Sequence, residues 1–247
     1  MNEGTCIGSG PTRVLVLHGW ALDSSVWRWA LPETDRARFT YAAVDFPGYG
    51  REAQEQPVVG VTAMAEAALT AADGLGWETF SVLGHSMGGT TALRLAGLAP
   101  SRVKRVCAVA PVGASGYPVD DENYRRFESA WPDVGWIIRF VSPGLDEDRV
   151  DALADLSAGT LAKPTWDRYL ANWTGADFAA ALNRAVPTTF VLGGRDPIAT
   201  ADHLAETLAA LPGADVVTLP GAAHFPMVEQ PKAAVEAWER ALGEMQS

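Results

Sequence analysis

The strongest constraint on this chain is an alternation of short runs of β character with longer stretches of helical periodicity. Val14-Leu15-Val16-Leu17, after Arg13, has none of the polar alternation of a half-exposed strand, so it reads as a strand covered on both faces. Further candidate strands lie at 40–44, 80–83, 103–110, 188–192 and 216–219. Helical patterns stand at about 62–73, with Thr62 as cap, at 87–99, closed by Pro100, and at 201–211 and 231–242. Strands that alternate with helices in this way predict an α/β fold with a mostly parallel, doubly wound sheet.

One segment breaks the rhythm. Residues 112–185 show only helical patterns, interrupted by Pro118, Pro132, Pro143 and Pro164, and they sit between two candidate core strands. The division expected is a core of 1–111 and 186–247 with a helical cap, 112–185, inserted into it. Junctions of this kind are favoured places for ligand sites.

Composition narrows the function. A chain of 247 residues fits one domain that needs neither disulfides nor metals to fold. Its net charge of −11 argues against nucleic acid and anionic membrane surfaces, which are bound through clustered Lys and Arg. Every apolar run is shorter than the ~20 residues of a membrane span, and Met1-Asn2-Glu3-Gly4-Thr5 does not resemble an export signal, so a soluble, cytoplasmic protein is expected. Cys6 and Cys107 offer no metal-ligand spacing and read as free thiols. Nothing in the pattern speaks to the oligomeric state.

The chemistry is concentrated at Gly84-His85-Ser86-Met87-Gly88, a G-x-S-x-G pattern placed where a candidate strand turns into a helix. The tight turn requires the flanking glycines and pushes the serine oxygen out at the carboxyl end of the sheet. A serine hydroxyl is a weak nucleophile at neutral pH, so a base must take its proton and a third group must orient the base. Of the four histidines, His18, His85, His203 and His224, only His224 follows a late strand in a loop, Gly221-Ala222-Ala223-His224-Phe225-Pro226. The acid should follow the preceding strand, which selects Asp196 over Asp202 and Asp215.

With serine, acid and histidine in that order, the chain resembles an α/β-hydrolase from about Arg13 to its last helix. His18-Gly19-Trp20-Ala21, Ser86 and the helical cap make it similar to the carboxylesterases that cleave pimeloyl-carrier methyl esters. The resemblance implies backbone oxyanion donors at Trp20 and Met87 and a role for His18 in bracing the oxyanion loop. Relatives that displace halide or open epoxides carry aspartate where this chain has Ser86. His85 is read as a packing or hydrogen-bonding residue.

Cap aromatics would line the cleft: Trp131, Trp136, Phe140, Trp166 and Trp173 join Trp20 as candidate substrate contacts, with Phe178 nearby in sequence. They point to an apolar acyl or aryl group. Arg125, Arg126 and Arg139 read as a solvated helix face, with an acidic carrier or a substrate carboxylate as the alternative. The function expected is cleavage of a carboxylic ester, thioester or lactone through an acyl-enzyme on Ser86, on a small-molecule substrate that is free or carrier-bound, without metal or cofactor. Two other readings stay open: hydrolysis or lysis of a carbon–carbon bond by the same residues, and a ligand-binding protein without turnover.

Overall fold

The central apolar runs assemble side by side because they can bury both faces only inside a covered sheet. The computed structural model describes residues 6–243, the side chains of 158–160 excepted. The Met1-to-Thr5 stretch, expected to hold no export signal, lies outside the described residues. The strands are β1 (Cys6–Gly8), β2 (Thr12–Leu17), β3 (Phe39–Val44), β4 (Phe80–His85), β5 (Val103–Val109), β6 (Thr188–Gly193) and β7 (Asp215–Leu219). They form one sheet in the order β1-β3-β2-β4-β5-β6-β7. All neighbours run parallel except β1, a strand beyond those expected, which pairs antiparallel with β3 at the edge.

Register sets the site. Leu17 lies opposite Val44 on one side and Gly84 on the other, and His85 lies opposite Val109. The carboxyl ends of the central strands are therefore level, and the loops that follow them leave from one edge of the sheet. Such an edge is where open α/β sheets place their ligands.

The core helices are α1 (Gly60–Gly74) and α2 (Met87–Leu98), followed after the insertion by α7 (Ala205–Ala210), α8 (Pro226–Glu229) and α9 (Pro231–Leu242). Two expectations need correction. Thr62 does not cap α1: the helix starts at Gly60, and the Thr62 hydroxyl instead accepts a hydrogen bond from Arg94 Nε at 2.9 Å. The segment 201–211 is helical only over Ala205–Ala210, because Thr200 takes the His203 amide on its hydroxyl and makes the preceding residues a turn.

Between β5 and β6 the chain makes α3 (Asp121–Glu128), α4 (Gly135–Val141), α5 (Glu147–Thr160) and α6 (Lys163–Thr174). Asp120 and Asp146 cap α3 and α5 by accepting the amides of Asn123 and Arg149. Trp166, Tyr169, Leu170 and Trp173 recur at helical spacing along the buried face of α6. Buried Asn172 of the same helix accepts the Gly60 amide at 2.7 Å and donates to the Val58 carbonyl at 2.9 Å, so the insertion caps a core helix. Among the described residues no helix is long and apolar enough to cross a membrane.

Replacing Asn172 with alanine strands both main-chain groups and should lower the unfolding free energy by about 1–3 kcal/mol in urea titrations. An unchanged midpoint and slope would contradict this capping role.

Candidate active site

The turn between β4 and α2 holds Ser86 at φ 51°, a backbone region that residues other than glycine rarely enter. Its neighbours explain the glycines. A Cβ on Gly84 would lie 2.2 Å from the Gly88 carbonyl oxygen, and one on Gly88 would lie 2.4 Å from that of His18. The close approach seats the start of α2 against the loop that follows β2. Met87 is the first residue of α2, so its amide has no partner within the helix.

Asp196 follows β6 and His224 follows β7, and the structure brings both to Ser86. His224 Nδ1 is 2.8 Å from Asp196 Oδ2, and His224 Nε2 is 3.1 Å from Ser86 Oγ. A carboxylate can only accept, so Nδ1 carries the proton and donates; the Nε2 lone pair is left to accept from the serine hydroxyl. Burial pushes the Asp196 carboxyl up, but the imidazole beside it and the amides of Ile198 and Ala199 outweigh burial and hold it below the ordinary carboxylate range. Asp202 is exposed and Asp215 opens β7, so neither rival acid meets the histidine.

The other buried histidines are fixed in one tautomer each. His18 Nε2 accepts the Phe46 amide at 3.1 Å, so its Nδ1–H donates to the Gly19 carbonyl at 2.9 Å. Carbonyl and N–H of a trans peptide point in opposite directions. Anchoring the Gly19 carbonyl therefore also fixes the direction of the Trp20 amide. His85 Nε2–H donates to the His224 carbonyl at 2.8 Å, while its Nδ1 has no partner among the described residues. Burial pushes His85 down to about 3 and also lowers His18, so both rings are neutral.

The cleft above Ser86 is apolar. Trp20, Phe127 and Trp173 form an aromatic wall, and Val134, Ile137, Ile138 and Val141 of the insertion, with Ile198, form an aliphatic one. Of the six expected contacts, Trp20 and Trp173 line it. The other four do not. Trp166 lies buried beneath Trp20, with ring centroids 4.1 Å apart, and donates to the Phe127 carbonyl. Trp131 donates to the Leu161 carbonyl, Trp136 stacks on Phe127 with ring centroids 5.8 Å apart, and Phe140 is 53% exposed. None of Arg125, Arg126 and Arg139 lines the cleft: Arg126 covers the Trp136 ring, Arg139 pairs with Glu147 and Arg125 is exposed. The apolar spacing of 134, 137, 138 and 141 was the available signal for the aliphatic wall.

Comparisons agree with this architecture. A family model described as "Alpha/beta hydrolase family" matches residues 14–238. The chain is 33% identical over 243 residues to the dihydrolipoyllysine-residue acetyltransferase component of the acetoin cleaving system of Cupriavidus necator, covering 90% of this chain and spanning 61% of that relative's length. It is 29% identical over 248 residues to the pimeloyl-[acyl-carrier protein] methyl ester esterase of Nitrosomonas europaea, covering 94% and 96% of the two chains. The structure of a thermophilic esterase from Thermogutta terrifontis superposes with a TM-score of 0.80 at 22% identity, covering 97% and 93%, a likeness of fold.

Because His18 and His85 refuse protons that their unfolded counterparts accept near pH ~6.5, the unfolded state binds more protons below that pH. Stability should therefore fall as pH drops from about 6.5 toward the folded values. Urea unfolding between pH 7 and 5 should show a shallower loss in His85→Gln than in the unsubstituted protein; equal slopes would contradict the assignment of a buried neutral imidazole.

Proposed function

The chain belongs to the alpha/beta hydrolase family, and from that premise we propose that it is a hydrolytic enzyme that cleaves carboxylic esters with an apolar acyl or aryl group through an acyl-enzyme on Ser86. The observation that carries this reading is the continuous line from Asp196 through His224 to Ser86, at 2.8 and 3.1 Å. Ser86 Oγ attacks the ester carbonyl as His224 Nε2 takes its proton. The Asp196 carboxylate stabilises the imidazolium that forms. The amides of Trp20 and Met87 receive the tetrahedral oxyanion, an effect worth about 3 kcal/mol per donor.

Collapse of that intermediate breaks the bond to the alkoxy group, which leaves as the alcohol with the proton from His224. Water then enters, gives a proton to His224 and attacks the acyl carbon, releasing the carboxylic acid and restoring the serine hydroxyl. The reaction asks nothing of a metal or organic cofactor.

The apolar lining favours an uncharged group next to the carbonyl, since a charge there would be desolvated without a partner. The engagement of Arg126 with Trp136 and of Arg139 with Glu147, together with a net charge of −11, favours a free small-molecule ester over one presented by an acidic carrier. Among esters of one alcohol, medium-length apolar acyl groups should give higher kcat/KM than short polar ones; the reverse ranking would refute the assignment of the cleft.

Ser86→Ala should lower turnover of an activated ester by a factor on the order of 10⁴ or more and remove labelling by an organophosphonate. Labelling that persists at another residue would overturn the choice of nucleophile. No ester turnover beside clear activity on a diketone would favour carbon–carbon cleavage, and a ligand recovered unchanged with no product burst would favour a binding protein.

A further inference from the structure

Three consecutive residues of the helical insertion grip the two loops that carry the proposed base and its acid. Val141, the last residue of α4, accepts the main-chain N–H of His224 at 3.2 Å. Buried Ser142 donates its hydroxyl to Glu229 Oε1 at 2.9 Å. The Pro143 carbonyl accepts from the guanidinium of Arg195, the residue before Asp196. The next residue, Gly144, has φ 88°, and a Cβ there would come within 2.6 Å of Arg195 Nη2, so the exit from this segment requires glycine.

Glu229 closes the arrangement from the core side. Its Oε2 accepts the Ala223 amide at 2.7 Å and its Oε1 the Phe225 amide at 2.9 Å, so the amides on both sides of His224 end on one carboxylate. Hydrogen bonds to an ionised acceptor are shorter and roughly twice as strong as neutral ones. With Val141 on the His224 amide and His85 on its carbonyl, the main chain around the base has little freedom to move. Glu229 does not line the cleft and takes no part in the proton transfers.

The same helix that ends in this grip turns Val134, Ile137, Ile138 and Val141 toward the cleft. A group bound against that wall presses on the element that holds the His224 loop. We propose that segment 141–143 and Glu229 form a positioning strap that ties the alignment of His224 and Asp196 to the packing of the insertion, with Glu229 as the positioning residue for the base. This rests on the serine-hydrolase reading above. The strap acts on geometry, and a displacement of about 1 Å at a reacting group can cost about 100-fold in rate.

The test compares Glu229→Ala, Glu229→Gln and Ser142→Ala with the unsubstituted chain by steady-state kinetics on an activated medium-chain ester, thermal unfolding, and the downfield proton resonance of the His224–Asp196 hydrogen bond. At temperatures well below each Tm, kcat should fall about 100-fold for Glu229→Ala, about 10-fold for Glu229→Gln and about threefold for Ser142→Ala, with KM within about twofold. The downfield resonance should broaden in the same order. Folded variants with a lower Tm but unchanged kcat and resonance would overturn the strap and leave Glu229 a brace of the fold. Should Glu229→Ala not fold, the other two variants decide. Organophosphonate labelling of the unsubstituted protein separates the two failures: no label at Ser86 sinks the parent reading, whereas a label at Ser86 with undiminished kcat in the variants sinks the strap alone.

Discussion

The geometry at the carboxyl edge of the sheet depends on one close approach, that of α2 against the loop after β2. Gly88 lies so near the carbonyls of Leu17 and His18 that no side chain fits between them. That contact leaves Ser86 in a left-handed backbone conformation, a strain of about 1–3 kcal/mol that the surrounding packing must sustain. In return, the hydroxyl stands clear of the sheet and the first amide of α2 comes beside the loop that carries Trp20. His18 completes the arrangement by binding Gly19 and Phe46 at once, which joins the loops after β2 and β3.

Protonation at the site is equally ordered. His18 and His85 are neutral because burial outweighs the nearby carboxylates, and Asp196 is ionised because the imidazole beside it and its hydrogen bonds outweigh burial. Two of the three histidines at this edge are therefore withheld from proton transfer, and the one next to the hydroxyl is paired with the carboxylate. An apolar cleft lies above this arrangement, and exclusion of water there strengthens any interaction between amide dipoles and a developing negative charge. The insertion supplies most of both walls of that cleft and, through Asn172, the cap of α1, so it is built into the core as well as laid over it.

How much of this was legible in the sequence depends on where the determining contacts lie. β2 through β7 could be read because each is a short run of β character set off by helical patterns, β2 being apolar almost throughout, and the order of Ser86, Asp196 and His224 follows from the strands that precede them. β1 could not, since Cys6-Ile7-Gly8 is too short to carry a period. The start of α1 has no local signal because its cap comes from Asn172, far away in the chain. The cleft residues are hidden in the sequence for a different reason. Large aromatics are the conspicuous candidates in sequence, yet Trp131 and Trp166 turn their indole N–H groups to main-chain carbonyls inside the insertion and so face away from the cleft. The aliphatic wall of α4 carried only ordinary helical spacing, and the role of Glu229 appears only when the folded loop presents two amides to it.

The central claim is that a hydroxyl, an imidazole and two main-chain amides meet at one carbonyl-sized point. A crystal structure of the adduct with an organophosphonate measures this directly. The expected result is a covalent bond from phosphorus to Ser86 Oγ, with the phosphoryl oxygen about 3 Å from the amide nitrogens of both Trp20 and Met87. An adduct on any other side chain, or a phosphoryl oxygen turned away from both amides, would contradict it.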